Sequence, residues 1–216
     1  MKIRSFRKSY EGKTVLELPE LTLAEGRIYA VVGANGSGKS TLAKVLSGVE
    51  KPDDGLPVLA GCQVGFMPQK SFAFRMSVEN NLLISGSDRE RAQTLMEALH
   101  IAPLAHKPAN RLSAGATARM ALARALMKSY SLLILDEPTA SMDMESTILA
   151  EALVKRYRDT ERCTVLLVTH SLQQARRMAD DALFFHEGHL VEHGDAGRVL
   201  YAPQQALTKS FLELYG

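Results

Sequence analysis

Gly33-Ala34-Asn35-Gly36-Ser37-Gly38-Lys39-Ser40-Thr41 is the stretch on which the reading of this chain turns. It fits the pattern G-x-x-x-x-G-K-[ST], and its flanks decide whether the fit has meaning. Ahead of it, Ile28-Tyr29-Ala30-Val31-Val32 is a continuous apolar run of strand type. Behind it, Leu42, Val45, Leu46 and Val49 recur at helical spacing, with Gly48 near the end as a stop. Strand, glycine loop and helix in that order select a phosphate-binding loop over an ordinary glycine-rich turn.

The chemistry explains the composition. Glycines at Gly33, Gly36 and Gly38 let the backbone turn tightly, so that consecutive N–H groups from Asn35, Ser37 and their neighbours face phosphate oxygens. The positive end of the following helix, which opens at Lys39, Ser40 and Thr41, adds to that anion site. Lys39 is placed to reach the β- and γ-phosphates, and the Ser40 hydroxyl to sit on Mg²⁺. The implied ligand is a nucleoside triphosphate.

The bulk numbers exclude several classes. A chain of 216 residues can bury a full core and suits one domain. Its 46% hydrophobic and 23% charged residues are those of a soluble globular protein. The net charge of +2 comes from scattered Lys and Arg, without the basic stripe of a nucleic-acid surface, so no nucleic-acid partner is expected. No apolar stretch approaches the roughly 18–20 residues needed to cross a bilayer. The opening Met1–Phe6 lacks the apolar segment of a signal peptide, which argues for a cytosolic location. Cys62 and Cys163 fit neither a metal nor a redox spacing.

Along the chain, Lys2–Phe6 and Val15–Leu18 read as strands. Short β-like pieces are expected near Val58–Leu59 and at Val64–Met67. From Ser77 to His106 the spacing turns helical, an insert closed by Pro103 and Pro108. A second helix is expected from Ser113 through Met127, then a buried parallel-type strand at Leu132–Leu135. Helix over 143–157, strand at Thr164–Val168, helix over Ser171–Ala179 and a hairpin about Glu187-Gly188 complete the alternation. That alternation predicts an α/β sheet with crossover helices, interrupted by a helical subdomain.

Leu132–Leu135 runs into Asp136-Glu137-Pro138. Two carboxylates at the carboxyl end of a buried parallel strand lie where α/β sheets place their ligands. Strand alternation would send them to opposite faces, which suits two roles: Asp136 toward Mg²⁺, Glu137 as the base that polarises water. Thr169-His170 follows the next buried strand in the same way, near the same edge. Gln69, just after Val64–Met67, offers an amide for the Mg²⁺ shell or the γ-phosphate. Phe72, Phe74 and Met76 stand at alternate positions after it, open to either core packing or an exposed apolar groove. His186, His189 and His193 alternate along the hairpin and read as surface histidines rather than as a metal site.

Taken in order, these pieces resemble the nucleotide-binding subunit of ATP-binding cassette (ABC) transporters over essentially the whole chain. Tyr10 falls where that family carries an aromatic that stacks on adenine, and Gln69 at its Q-loop. Leu112-Ser113-Ala114-Gly115-Ala116 falls at its signature, with Ser113 and Gly115 as the phosphate contacts. Asp136 and Glu137 match its magnesium aspartate and catalytic glutamate, Ser141-Met142-Asp143 its D-loop, and His170 its switch histidine. The resemblance implies an α/β fold: a P-loop NTPase core with a mainly parallel sheet, a small antiparallel β-subdomain and an inserted helical subdomain. The core would take residues 1–68 and 128–216, and the helical subdomain residues 70–127. It further implies ATP and Mg²⁺ as cofactors and a head-to-tail dimer, homomeric or heteromeric, with two ATP molecules between the subunits.

Two departures stand out. Ala114 replaces the first of two signature glycines and Ala116 a following Gln or Glu. If residue 114 required a positive φ, Ala would cost ~1 kcal/mol or more; if it is helical, Ala is harmless. Ser113 and Gly115 remain, so an active ATPase, at most slowed, is expected. The stretch from Gly48 to Gln69 is short for the family, so the β-subdomain near the adenine should be reduced. A single cassette without a fused membrane segment is similar to bacterial importers, and its tail weakly to phosphate- and tungstate-type oxyanion importers. The implied setting is the cytoplasmic face of the cell membrane, with a transmembrane permease subunit and an extracytoplasmic solute-binding protein. An export-type or stand-alone cassette is the rival within the superfamily.

Overall fold

The computed structural model describes residues 1–215 and contains ten strands and eight α-helices among them. The chain forms two compact units: one of Met1–Phe66, Tyr130–Asp136 and Arg162 onward, the other of Met67–Ser129 and Glu137–Glu161.

The first unit opens with β1 (Lys2–Ile3), β2 (Phe6–Tyr10), β3 (Lys13–Leu18), β4 (Leu21–Thr22) and β5 (Ile28–Val32), which leads through the glycine loop into α1 (Lys39–Leu46). β6 (Val64–Met67) follows. The second unit then contributes α2 (Val78–Leu83), α3 (Arg89–Ala98) and α4 (Ala114–Ala125). The chain returns as β7 (Leu132–Asp136), leaves again as α5 (Met144–Glu161), and closes with β8 (Thr164–Val168), α6 (Leu172–Met178), β9 (Asp181–His186), β10 (His189–Asp195), α7 (Ala196–Tyr201) and α8 (Ala206–Tyr215).

Eight strands form one sheet in the order β2-β3-β10-β9-β5-β8-β7-β6, and β1 and β4 pair as a separate antiparallel ribbon. The centre is parallel: β5 pairs with both β8 and β9, and β7 with β8. Every residue of β5, β7 and β8 is buried, as the unbroken apolar runs require of strands covered on both faces. Strand alternation sorts their side chains between two cores. Val31, Phe185, Leu166 and Ile134 pack with Leu42, Val45 and Leu46 of α1. Ala30, Val32 and Phe184 pack with Leu172, Ala175, Val199 and Leu200 on the other face.

Two expectations fail here for one reason. The run Lys2–Phe6 is not one strand but breaks at Arg4–Ser5, and Val58–Leu59 carries no strand. Arg4 captures the loop instead. Its guanidinium donates to both oxygens of Asp54 at 2.7 Å and to the carbonyls of Leu56 and Pro57, while its backbone N–H donates to Val58 O. A guanidinium fork that satisfies several loop acceptors competes with strand pairing for the same backbone.

In the second unit the helical insert is interrupted. Ser77 caps α2 by accepting from Asn80 N, and Asp88 caps α3 by accepting from Arg91 N. The helix expected from Ser113 begins at Ala114, with Ser113 as its N-cap, and ends at Ala125 rather than Met127. Among the described residues no helix is long and apolar enough to cross a membrane.

Candidate functional site

The glycine loop joins the carboxyl end of β5 to α1, and its geometry requires its glycines. Gly33 has φ +149°, and a β-carbon there would lie 2.1 Å from the carbonyl oxygen of Phe185. Gly38 caps α1 at φ +98° in place of a side chain. The turn of the β9–β10 hairpin supports the loop from outside: Gly188 N donates to Ser37 O, and Gly188 O accepts from Glu17 N. Lys39 is buried, its ammonium donating to Gly33 O at 2.8 Å, Ala34 O at 2.7 Å and Ser37 Oγ at 3.4 Å. Asn35 and Gly36 form the exposed rim. An ammonium held among carbonyls within a turn of N–H groups, at the start of a helix, is an anion site.

Sheet register sets the neighbours of that loop. Val31 lies opposite Val168, and Val168 opposite Asp136, so the carboxyl ends of β5, β8 and β7 finish level. Asp136 is buried as the last residue of β7, while His170 is exposed just beyond β8. Thr169 anchors the turn before α6, its N–H donating to Val31 O and its hydroxyl accepting from Ser171 N. The structure therefore brings Gly33–Thr41, Asp136 and His170 to one edge of the sheet.

Tyr10, at the end of β2, is 40% exposed. Its hydroxyl donates to the Glu50 carboxylate, and the Lys8 ammonium stands 4.9 Å from its ring centroid. Burial and then Glu50 push its phenol above the ordinary value, against a hydrogen bond from Thr41 that pulls it down.

In the second unit, Ser113 caps α4 with its hydroxyl accepting from Ala116 N at 3.2 Å. Ala114 is the first helical residue, so its φ is negative and alanine costs nothing there. Gly115 is closely packed for a different reason: a β-carbon on it would lie 3.0 Å from the carbonyl oxygen of Ser141. The signature backbone thus lies against the D-loop segment, whose Asp143 accepts from Ser146 N at the start of α5. Asp143 is held below the ordinary carboxylate range by that Ser146 N–H, and the Arg119 charge adds to the effect. Gln69 is exposed, in the bend after β6.

Glu137 corrects the alternation argument. The strand stops at Asp136, and Glu137 takes φ +50°, so strand geometry does not set its direction. A non-glycine residue in that region stores about 1–3 kcal/mol of strain, a feature that clusters at functional positions. Phe72, Phe74 and Met76 are exposed by 60%, 39% and 37%, which overturns core packing for them. The reason is Asn81, wholly buried, which accepts from Phe74 N and donates to the carbonyls of Phe74 and Ser77. Arg124 donates to Asn81 and to Phe72 O and lies over the Phe74 ring at 5.2 Å.

The sequence reading missed Asn81 and Arg124, and also Phe185, Gly188 and Glu50 as partners of the glycine loop and of Tyr10. Only the Glu187-Gly188 pair gave a signal, as a turn. Its φ values of +46° and +82° are those of a tight hairpin.

The Ser40 hydroxyl and the Asp136 carboxylate, both in the first unit, are hard oxygen donors, which suit Mg²⁺ rather than a softer metal. Among the described residues no group of three or more His, Cys, Asp and Glu side chains could hold a metal.

Residues 16–140 match the family profile described as ABC transporter. The chain is 36% identical over 205 residues to the tungstate uptake system ATP-binding protein TupC of Peptoclostridium acidaminophilum, covering 88% of this chain and 96% of that one. It is 35% identical over 198 residues to the zinc import ATP-binding protein ZnuC of a Chelativorans strain, covering 89% and 70% respectively. The fold matches a solved ATP-binding subunit of an ABC transporter with a TM-score of 0.83 at 20% identity, over 100% of this chain and 99% of that one.

Proposed function

The chain belongs to the ABC transporter family as one of its ATPase subunits, and from that premise we propose that it powers solute import through a separate transmembrane permease. The relatives named for uptake and import favour this direction over export or a stand-alone role. The observation that carries the ATPase reading is the loop at Gly33–Thr41, with Lys39 bound among its carbonyls and Asp136 and His170 level with it.

In this reading Lys39 exchanges its contacts to Gly33 O and Ala34 O for β- and γ-phosphate oxygens, and the loop N–H groups hold the same phosphates. Ser40 and Asp136, with Gln69, hold Mg²⁺, which neutralises phosphate charge when bound. Glu137 takes the proton of the attacking water as the bond from the γ-phosphorus to the ADP oxygen breaks. His170 donates to the γ-phosphate, and Tyr10 offers a ring face to adenine. Ser113 and Gly115, at the start of α4, receive the γ-phosphate of an ATP bound to a second cassette subunit.

The exposed Phe72, Phe74 and Met76 are the seat for the permease, with the protein peripheral at the inner face of the membrane and a solute-binding protein outside. Tungstate is named for one relative that aligns over almost its whole length, and an oxyanion is the solute class we propose. The test is ATP hydrolysis by the purified chain. The rate should rise with the square of protein concentration, and Glu137→Gln should lower kcat about 10²-fold or more while ATP binding persists. A rate strictly proportional to concentration, in a chain that sedimentation shows to be monomeric under the same conditions, would reject the shared site.

A further inference from the structure

Lys8, Tyr10, Lys44 and Glu50 form one connected cluster in the first unit. Glu50 lies on the turn after α1, its N–H donating to Lys44 O. One carboxylate oxygen receives the Tyr10 hydroxyl, and the other stands 3.3 Å from the Lys44 ammonium. The Lys8 ammonium, at 4.0 Å from Glu50, is fixed by donating to Lys51 O at 2.9 Å. The Glu50 side chain is only 23% exposed. Burial would raise its carboxyl, but Tyr10 and Lys44 hold it below the ordinary range.

A tyrosine at a strand end, 40% exposed, has two rotatable side-chain bonds to be ordered. Here its hydroxyl is tied to Glu50, which the Lys44 ammonium of α1 holds in turn. Lys8 lies over the ring, so a planar ligand has one face left to it. The same helix whose first turn carries Lys39 and Ser40 therefore sets, through Lys44 and Glu50, where the ring stands.

We propose that Glu50 is a positioning residue for the nucleotide base: it fixes the Tyr10 ring relative to the phosphate loop, so that base and triphosphate are engaged together. This rests on the reading of Tyr10 as the adenine platform. Glu50 itself touches no part of the nucleotide; its contribution is preorganisation, which lowers the cost of ordering the ring on binding.

The test is calorimetric titration of the full chain, in EDTA so that no turnover occurs, with ATP and separately with inorganic tripolyphosphate. Glu50→Ala should weaken ATP about three- to tenfold, the range for loss of a hydrogen bond to a charged group, and leave tripolyphosphate within about twofold. Tyr10→Phe, which keeps the ring and loses the hydroxyl, should show the same ATP loss, and the double variant no more. Glu50→Gln, which still accepts from the hydroxyl, should retain most of the affinity, so the comparison survives if the alanine variant fails to fold. Equal loss for ATP and tripolyphosphate would overturn the proposal, because Glu50 would then act through α1. Unchanged ATP affinity in Glu50→Ala beside a large loss in Tyr10→Ala would overturn it and leave the platform standing. No loss in Tyr10→Ala would remove the platform as well.

Discussion

Gly33 lies against the carbonyl oxygen of Phe185 so closely that a β-carbon would stand 2.1 Å from it. That contact joins β5, where the glycine loop begins, to the end of β9, and it separates glycines that hold the fold from glycines that shape the loop. Gly33→Ala must displace backbone and should lower stability by about 3 kcal/mol or more, a fall of roughly 6–12 °C in Tm for a domain of this size. Gly36, at φ +78° with open space around it, should lose only ~1 kcal/mol as Ala. Thermal melts of the two variants check the contrast, and equal losses would contradict it.

Ala114 and Gly115 predict opposite outcomes from neighbouring changes. Ala114→Gly sits at the first helical position and should keep ATPase activity, with a stability loss of no more than ~1 kcal/mol. Gly115→Ala pushes a methyl group against Ser141 O and should lower kcat with little change in KM, because it disturbs the D-loop segment rather than the glycine loop. Steady-state kinetics read both, and an inactive Ala114→Gly would show that helix position 114 needs alanine for a reason other than φ.

Phe72 and Phe74 are displayed by Asn81 and Arg124 rather than buried. The double change Phe72→Ser/Phe74→Ser should leave Tm within about 2 °C, since exposed apolar groups contribute little to stability. ATP hydrolysis by the isolated chain should be unchanged, while retention by permease-containing membranes should be lost. A large fall in Tm would restore the core reading.

Glu192 on β10 accepts from Gln204 N at 2.8 Å and Gln205 N at 3.1 Å, holding the segment ahead of α8. Burial pushes its carboxyl up, but the Gln204 and Gln205 N–H donors outweigh burial and leave it below the ordinary value. A depressed carboxyl contributes stability that is complete above its unfolded value, about pH 4.3, and is lost as pH falls through the folded value. Urea midpoints should therefore drop in the wild type below about pH 4.3. In Glu192→Gln, already less stable at pH 7, that part of the drop should be missing. Parallel pH profiles would refute the assignment.

What was legible in the sequence depended on short-range patterns. The glycine loop, the buried runs at Ile28–Val32, Leu132–Leu135 and Thr164–Val168, and the Ser113 cap are fixed by spacing along the chain, because periodicity and capping act over one or two turns. The sequence by itself determined the α/β class with its buried central strands, the order of the motifs and the family. Only the tertiary structure decided that Phe185 lies against Gly33, that Glu50 holds Tyr10, that Asn81 turns Phe72 and Phe74 outward, and that Glu137 leaves the strand at φ +50°. Arg4, which takes the loop at Asp54–Val58 away from strand pairing, belongs with them. In each of these the deciding group is a backbone carbonyl or a polar or charged side chain brought from elsewhere in the chain, or a strand end whose geometry the fold imposes. Composition and period carry no information about such partners, since which acceptor a donor meets is settled only when the sheet and helices have packed.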